Sequence, residues 1–317
     1  VHQWQQRGFA LVNDVLPSEL VAQVREAAVR VYPDGSGPMR DDFGSGGTMC
    51  FPSVDKELLI VNEIPLNMRL LRAVQQLLQT DDHGLRLTQC DLWGKRGSEE
   101  TSFTKYCNSD QRVHCDYPNH TLVVPPSWDR PEVVSIIVYF DDSSVVGGET
   151  RVVPRSGPDD PAYTGSGADN RLLQTPGARG DLLWVNDRTH AEAYLAEAAP
   201  EVHRFREEHL YPRECKVGFE TGSILFYRHD IWHRGTPLLP GATRRSQNIV
   251  YRRAECDWVN NWSNGPARKM YERNQAVEKI VARSNNTQRS ILGFPSPSSS
   301  YWTKDTLAAV RQRYDAL

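Results

Sequence analysis

Residues 133–155 read VVSIIVYFDDSSVVGGETRVVPR, two runs rich in Val and Ile on either side of a turn of Asp, Ser and Gly. Side chains branched at Cβ lose rotamer freedom against a helical turn but pack well on a pleated surface, so both runs read as strands. Asp and paired Gly supply the turn between them. The same texture extends outward. LRLTQCDLWGK (85–95), SFTKYC (102–107), RVHCDY (112–117), DLLWVND (181–187), GSILFYR (222–228) and RSQNIVYRR (245–253) are further short β-type runs set between Gly, Pro, Asp and Asn. Many short strands with turn punctuation predict a sandwich or a closed double-sheet barrel.

Helices are expected around that core. After a short strand at Phe9–Val12, residues Leu20, Val24, Ala27, Ala28 and Val31 recur at helical spacing, with Ser18 as the expected cap. Residues 33–50 read as a loop. PLNMRLLRAVQQLLQ (65–79) reads as a second helix with Pro65 in its first turn. Residues 187–210 form a helical insertion in the β region, and the chain turns helical again after about residue 255. The expected organisation is one domain: N-terminal helices over 1–84, a β core over 85–253 carrying the insertion at 187–210, and a C-terminal helical extension over 254–317.

A chain of 317 residues can bury a sizeable core. Its net charge of −3 and pI near 6.3 give no electrostatic case for nucleic acid or an anionic membrane. No apolar run reaches the roughly 18 residues of a membrane-spanning helix. Six cysteines, at 50, 90, 107, 115, 215 and 256, form no CxxC and fit neither a zinc ribbon nor a disulfide framework. The expected location is therefore the reducing cytoplasm.

Chemistry is concentrated in DQRVHCDYPNHTL (110–122). In a strand, residues i and i+2 share a face, so His114 and Asp116 converge while Cys115 points to the opposite layer as a small hydrophobe. An imidazole and a carboxylate on one face suit a divalent metal, and a second histidine would complete a facial triad with open positions for oxygen chemistry. GSILFYRHDIWHRGTP (222–237) offers two. His233, beyond the apolar strand and its polar turn, is favoured. His229 would join it only on a helix, as HxxxH, and there suggest zinc. His120 follows Pro118-Asn119 and belongs to a loop. Eleven residues past His233, Arg244 opens another strand. A buried guanidinium needs an anion, and a carboxylate satisfies it with two parallel hydrogen bonds. A small dicarboxylate could chelate the metal at one end and pair with the arginine at the other. The rival reading is a non-catalytic, cupin-like binding protein whose His–Asp pair is a satisfied hydrogen bond.

On His114-x-Asp116, the run GSILFYRHDIWHRG, the arginine eleven residues beyond His233, and the segment YFDDSSVVGGETRVVPRSG (139–157), the sequence resembles the phytanoyl-CoA dioxygenase family of iron(II)/2-oxoglutarate oxygenases over about residues 5–253. The resemblance implies a mainly β fold with peripheral helices and a double-stranded β-helix (jelly-roll, cupin-like) core. It implies His114, Asp116 and His233 as ligands of Fe(II), and Arg244 as the partner of the far carboxylate of 2-oxoglutarate. Arg245 is the alternate, because one register step flips the face. Lys105 or Tyr106, before the ligand pair, and Thr236, just past His233, are further co-substrate candidates. O2 is the implied oxidant. Halogenating relatives carry a small residue in place of the carboxylate, so Asp116 implies hydroxylation or a related oxidation. RGTP after His233 and the insertion at 187–210 depart from the family pattern and leave the substrate open. A small organic molecule is expected, with Arg151, Arg155 and Arg234 suggesting an anionic group on it and Trp128 a place in its wall or in the core.

Overall fold

The computed structural model describes residues 1–35, 39, 48–97, 110–116, 127–157, 159–164, 187–257 and 276–314. Nine strands are described: β1 (Phe9–Val12), β2 (Thr48–Cys50), β3 (Leu85–Arg96), β4 (Val133–Tyr139), β5 (Thr150–Val152), β6 (Cys215–Val217), β7 (Ile224–Arg228), β8 (His233–Gly235) and β9 (Thr243–Arg253). Six form an antiparallel sheet in the order β1-β7-β4-β9-β3-β2, and three a smaller one in the order β6-β5-β8. The stretch at 133–155 therefore supplies one strand to each sheet. Between β4 and β5 runs a short helix, Ser143–Val146, capped by the Asp142 carboxylate on the Ser144 amide. This is the mainly β frame with helices around it that the sequence predicts.

Strand alternation gives the large sheet two different faces. Leu92, Ile136, Val138, Phe226, Ile249 and Tyr251 point outward into one apolar cluster with helices α2 (Ser18–Val31) and α3 (Met68–Leu78). Against them α2 buries Val21, Val24, Ala27 and Ala28, and α3 buries Leu70, Val74, Leu77 and Leu78. Each fully buried Val or Leu contributes about 1.5–3 kcal/mol. Gly94 permits the close approach, since a Cβ there would stand 2.3 Å from the Tyr32 ring. The inward face carries Tyr139, Leu225 and Tyr227, which join Val152 and Trp232 of the small-sheet region in a second cluster. The chemistry lies between the two sheets.

Several local expectations are corrected. Pro17, not Ser18, holds the N-cap position of α2, and no side chain caps it. The second helix starts at Met68, where the Asn67 side chain accepts from the Arg69 amide; Pro65 precedes it, after the 3-10 segment Lys56–Glu63. Thr48–Cys50 pairs with β3 where a loop was expected. RVHCDY is not a strand over its described residues and contributes the isolated bridge His114↔His233. Between β5 and β6 the described chain forms helices Arg188–Ala198 and Pro200–Phe205, a π-helical turn Arg206–Leu210 and a 3-10 turn Tyr211–Arg213. Towards the C-terminus, Ala276–Arg283, Asn286–Ile291 and Lys304–Arg313 are helical, and an apolar cluster of their own forms around Val281, Phe294, Val310 and Tyr314. SFTKYC, most of DLLWVND and His120 lie outside the described residues. No described helix is long and apolar enough to cross a membrane.

Candidate metal centre

His233 opens β8, and His114 lies antiparallel beside it, the two exchanging both backbone hydrogen bonds at 2.8 and 2.9 Å. That pairing brings their rings to 4.5 Å between centroids. Each ring is tethered through Nδ1 to the carbonyl two residues earlier, His114 to Arg112 at 3.1 Å and His233 to Ile231 at 3.0 Å. A carbonyl only accepts, so in the neutral ring Nδ1 carries the hydrogen and Nε2 presents a lone pair. Both Nε2 atoms converge on Asp116, at 3.3 Å from His233 and 3.8 Å from His114. The three donor atoms lie within 4.8 Å of one another. Two lone pairs and a carboxylate facing one point, each ring fixed in the ligating tautomer, fit a divalent metal of the facial-triad type. Tyr227 completes the support by donating its hydroxyl to Asp116 Oδ2 at 3.0 Å. Nothing in the sequence marked Tyr227 apart from its apolar strand.

The electrostatics fit the same occupant. Burial and the neighbouring His233 ring push His114 down to about 3, so its ring is neutral. Burial opposes a charge on Asp116 too, but His233 overrides it and holds the carboxyl well below its usual range. Burial also lowers His233, and Asp116 outweighs that, so its net direction is upward. The carboxylate wants a cation at this point, which a divalent ion supplies.

On the inward face of the large sheet the β3–β9 register sets Lys95 opposite Arg244. Arg244 is buried, one of its nitrogens donates to the Gly148 carbonyl, and its Nε has no partner. Burial and the Arg244 charge push the Lys95 amine down to about 7, while Asp116 pulls it the other way. Two basic groups side by side on the inward face, one of them interacting with Asp116, have the chemistry to receive a carboxylate. Arg245, the alternate, takes the outward face, where it bonds Asp141, Asp34 and the Tyr32 carbonyl. Thr236 spends its hydroxyl on the Glu149 carbonyl at 2.8 Å. Lys105 and Tyr106 lie outside the described residues. Lys95 was missed because a lone lysine at a strand end reads as solvated.

The competing readings find other uses for their residues. His229 is buried with Nδ1 2.6 Å from Ser135 Oγ, and it is not among the donor atoms that converge on Asp116. Cys115 points away, its thiol on the Asp230 carbonyl. Arg155 pairs with Asp230 and stacks on Trp128, and the Arg228 guanidinium lies 3.7 Å from the centroid of the same ring. Arg234 forks onto Glu214, and Arg151 sits opposite Arg234 on the outward parity of the small sheet. None of these three arginines faces the triad as a free anion receptor. A second group, Glu192, His203 and Glu207, has metal-ligand spacing, but Arg206 already neutralises Glu192 at 2.6 Å.

A family model described as Phytanoyl-CoA dioxygenase (PhyH) matches residues 4–246. Among solved structures the chain is similar to the non-haem α-ketoglutarate-dependent epimerase SnoN from nogalamycin biosynthesis, at 17% identity over 80% of this chain and 81% of that one, TM-score 0.47. It is similar to EvdO2 from Micromonospora carbonacea var. aurantiaca at 16% identity over 84% and 93%, TM-score 0.49. HygX from Streptomyces hygroscopicus, solved with nickel and 2-oxoglutarate bound, shows 15% identity over 80% and 86%, TM-score 0.48. No curated protein matches the chain.

Proposed function

Because this chain belongs to the phytanoyl-CoA dioxygenase family, whose enzymes use iron(II), 2-oxoglutarate and O2, we propose that it hydroxylates a small organic molecule, with His114, Asp116 and His233 as the metal ligands and Arg244 as the anchor of 2-oxoglutarate. The observation that carries this reading is the convergence of two Nε2 lone pairs and one carboxylate, with Lys95, which interacts with Asp116, set opposite a buried Arg244 that has an unpartnered nitrogen. When bound, iron(II), 2-oxoglutarate and O2 supply the insertion of one oxygen atom into a substrate C–H bond while the other enters succinate with loss of CO2.

The chain's own residues hold and shield. The Arg112 and Ile231 carbonyls keep both rings in the ligating tautomer. Tyr227 orients Asp116 by its hydrogen bond. Arg244, joined by Lys95, grips the far carboxylate and so fixes how the co-substrate approaches the triad. Leu225, Tyr139 and Val152, packed between the sheets, exclude water from that region. The retained carboxylate of Asp116 favours hydroxylation over halide transfer. The engagement of Arg155 and Arg234 in ion pairs weakens the case for an anionic substrate group held by them. We propose a cytoplasmic setting on the cysteine spacing of the sequence, which fits no disulfide framework.

The test is an anaerobic titration with iron(II) and 2-oxoglutarate, watched for a weak visible charge-transfer band. The expected band is lost in His114→Ala and weakened in Arg244→Ala. Metal-loaded, folded wild type with no band would leave the binding-protein reading, or another metal, in its place.

A further inference from the structure

The two histidines arrive on separate pieces of chain, and little β structure joins those pieces. His233 belongs to a three-residue strand, and residues 110–116 meet it through one isolated bridge and through Gln111, whose amide donates to the Gly235 carbonyl at 3.1 Å and whose side-chain oxygen accepts the Gly235 amide at 2.7 Å. Side chains on the far side of the strand hold them in place. Arg234, next to His233 and 6% exposed, points away from the triad by strand alternation. Its Nε and Nη2 fork onto Glu214 at 2.6 and 2.9 Å, and its Nη1 donates to Asp110, four residues before His114. One planar guanidinium thus spans both ligand-bearing segments, a geometry an ammonium cannot reproduce.

The helical insertion grips the same segment from outside. The Arg188 amide, at the first residue of the helix, donates to the Asp110 carbonyl at 2.9 Å. Its guanidinium lies 3.7 Å from the Asp110 carboxylate and 3.8 Å from the centre of the Tyr211 ring. Tyr211 accepts the Val113 amide at 3.4 Å and donates to Glu192, which the fully buried Arg206 holds. The insertion and the RGTP run are the two departures from the family pattern, and Asp110 is where they meet.

We propose that Arg234 is a positioning residue: through its fork on Glu214 and its bond to Asp110 it sets the separation of the two histidine-bearing segments, with the insertion at 187–213 as its buttress, an inference that rests on the metal reading above. The test uses the full apo chain and Ni(II) as the probe, by calorimetry, with Co(II) visible spectra reporting ligand geometry. Arg234→Lys keeps the charge and loses the span, and is expected to weaken Ni(II) binding by about 10- to 100-fold and to alter the Co(II) spectrum. Asp110→Asn, at a side chain 37% exposed, changes both in the same direction by less, and adds little on top of Arg234→Lys because both cut one connection. Val74→Ala, in the outward core of α3, loses thermal stability and keeps both readouts.

If Arg234→Lys does not fold, Asp110→Asn decides alone. Wild-type-like Ni(II) affinity and Co(II) spectra in the span variants overturn the proposal, as does an equal loss in Val74→Ala, which would make it general destabilisation. Failure of the metal reading looks different: wild type itself binds no Ni(II), or His114→Ala binds as well as wild type.

Discussion

Arg244 and Arg245 are consecutive residues on one strand, and the fold treats them in opposite ways. Arg245 faces outward and has every donor group engaged: Nε on the Tyr32 carbonyl at 2.8 Å, Nη1 on Asp141 at 2.9 Å and Nη2 on Asp34 at 2.8 Å. Arg244 faces inward, meets one backbone carbonyl and buries an Nε with no partner. The pattern extends along the neighbouring strand, where Trp93 Nε1, also inward, is buried without a partner, and so is Asn248 Oδ1 on β9 itself. Gln247 Oε1, outward on the same strand, is unpartnered too, so what sets the inward face apart is the charge of Arg244, a buried guanidinium that meets one carbonyl and needs an anion. The outward face is built for stability and the inward face for binding.

The largest expected effect tests the outward side of that contrast. Arg245→Met leaves Asp141, itself 3% exposed, without its principal cation. Breaking a buried pair by removing one partner costs about 3–5 kcal/mol. The urea midpoint should fall accordingly, while the fraction still folded binds 2-oxoglutarate as before. A stability loss under about 1 kcal/mol would mean that the outward network is not a structural device.

Arg244→Met should do the reverse. Hydrogen bonds to charged groups contribute about 1.5–3 kcal/mol, so 2-oxoglutarate affinity should fall by roughly 10- to 100-fold in calorimetry. Removing a poorly satisfied buried guanidinium leaves the unfolding free energy unchanged or raises it. If Arg244→Met destabilises as much as Arg245→Met, the two faces are not different in kind. Tyr227→Phe sharpens the inward assignment at smaller cost. The ring keeps its packing, only the hydrogen bond to Asp116 is lost, and Ni(II) affinity should drop about tenfold, the lower end for a residue that orients a ligand.

How much of this was legible depended on how many residues shared a signal. Strands β3, β4, β7 and β9 were visible because five to twelve residues of β-branched and aromatic character repeat the same preference. Thr48–Cys50 and Cys215–Val217 have three residues each, too few for any period, and exist because a neighbouring strand offers an edge. His114 and Asp116 were legible as a pair, yet the strand assumed for them is a single bridge, and charged side chains such as Arg234 on Asp110 add to the little backbone pairing there is. The choice between Arg244 and Arg245 was open because parity is relative until a neighbour fixes it; Leu92 and Ile249 in the outer cluster fix it. Lys95 and Tyr227 act only through partners far away in sequence, so no local pattern could show them.

The smallest effect concerns Lys95 and turns on its proton. Burial and Arg244 hold its amine down to about 7, far below an ordinary lysine, with Asp116 pulling in the other direction. Below that pH the amine is charged with or without a bound carboxylate, and 2-oxoglutarate affinity should not vary with pH through this group. Above it the amine of the ligand-free protein is neutral, so binding the carboxylate must draw a proton onto it. Affinity then falls as pH rises, by at most about tenfold per pH unit. Calorimetry of 2-oxoglutarate on the Ni(II)-loaded protein, from about pH 6 to about pH 9 in buffers of different ionisation enthalpy, measures the slope and the proton together. Lys95→Met should bind more weakly at the acid end and lose the slope. A flat wild-type profile with no proton uptake would mean that Lys95 does not meet the carboxylate, and that the inward face offers Arg244 alone.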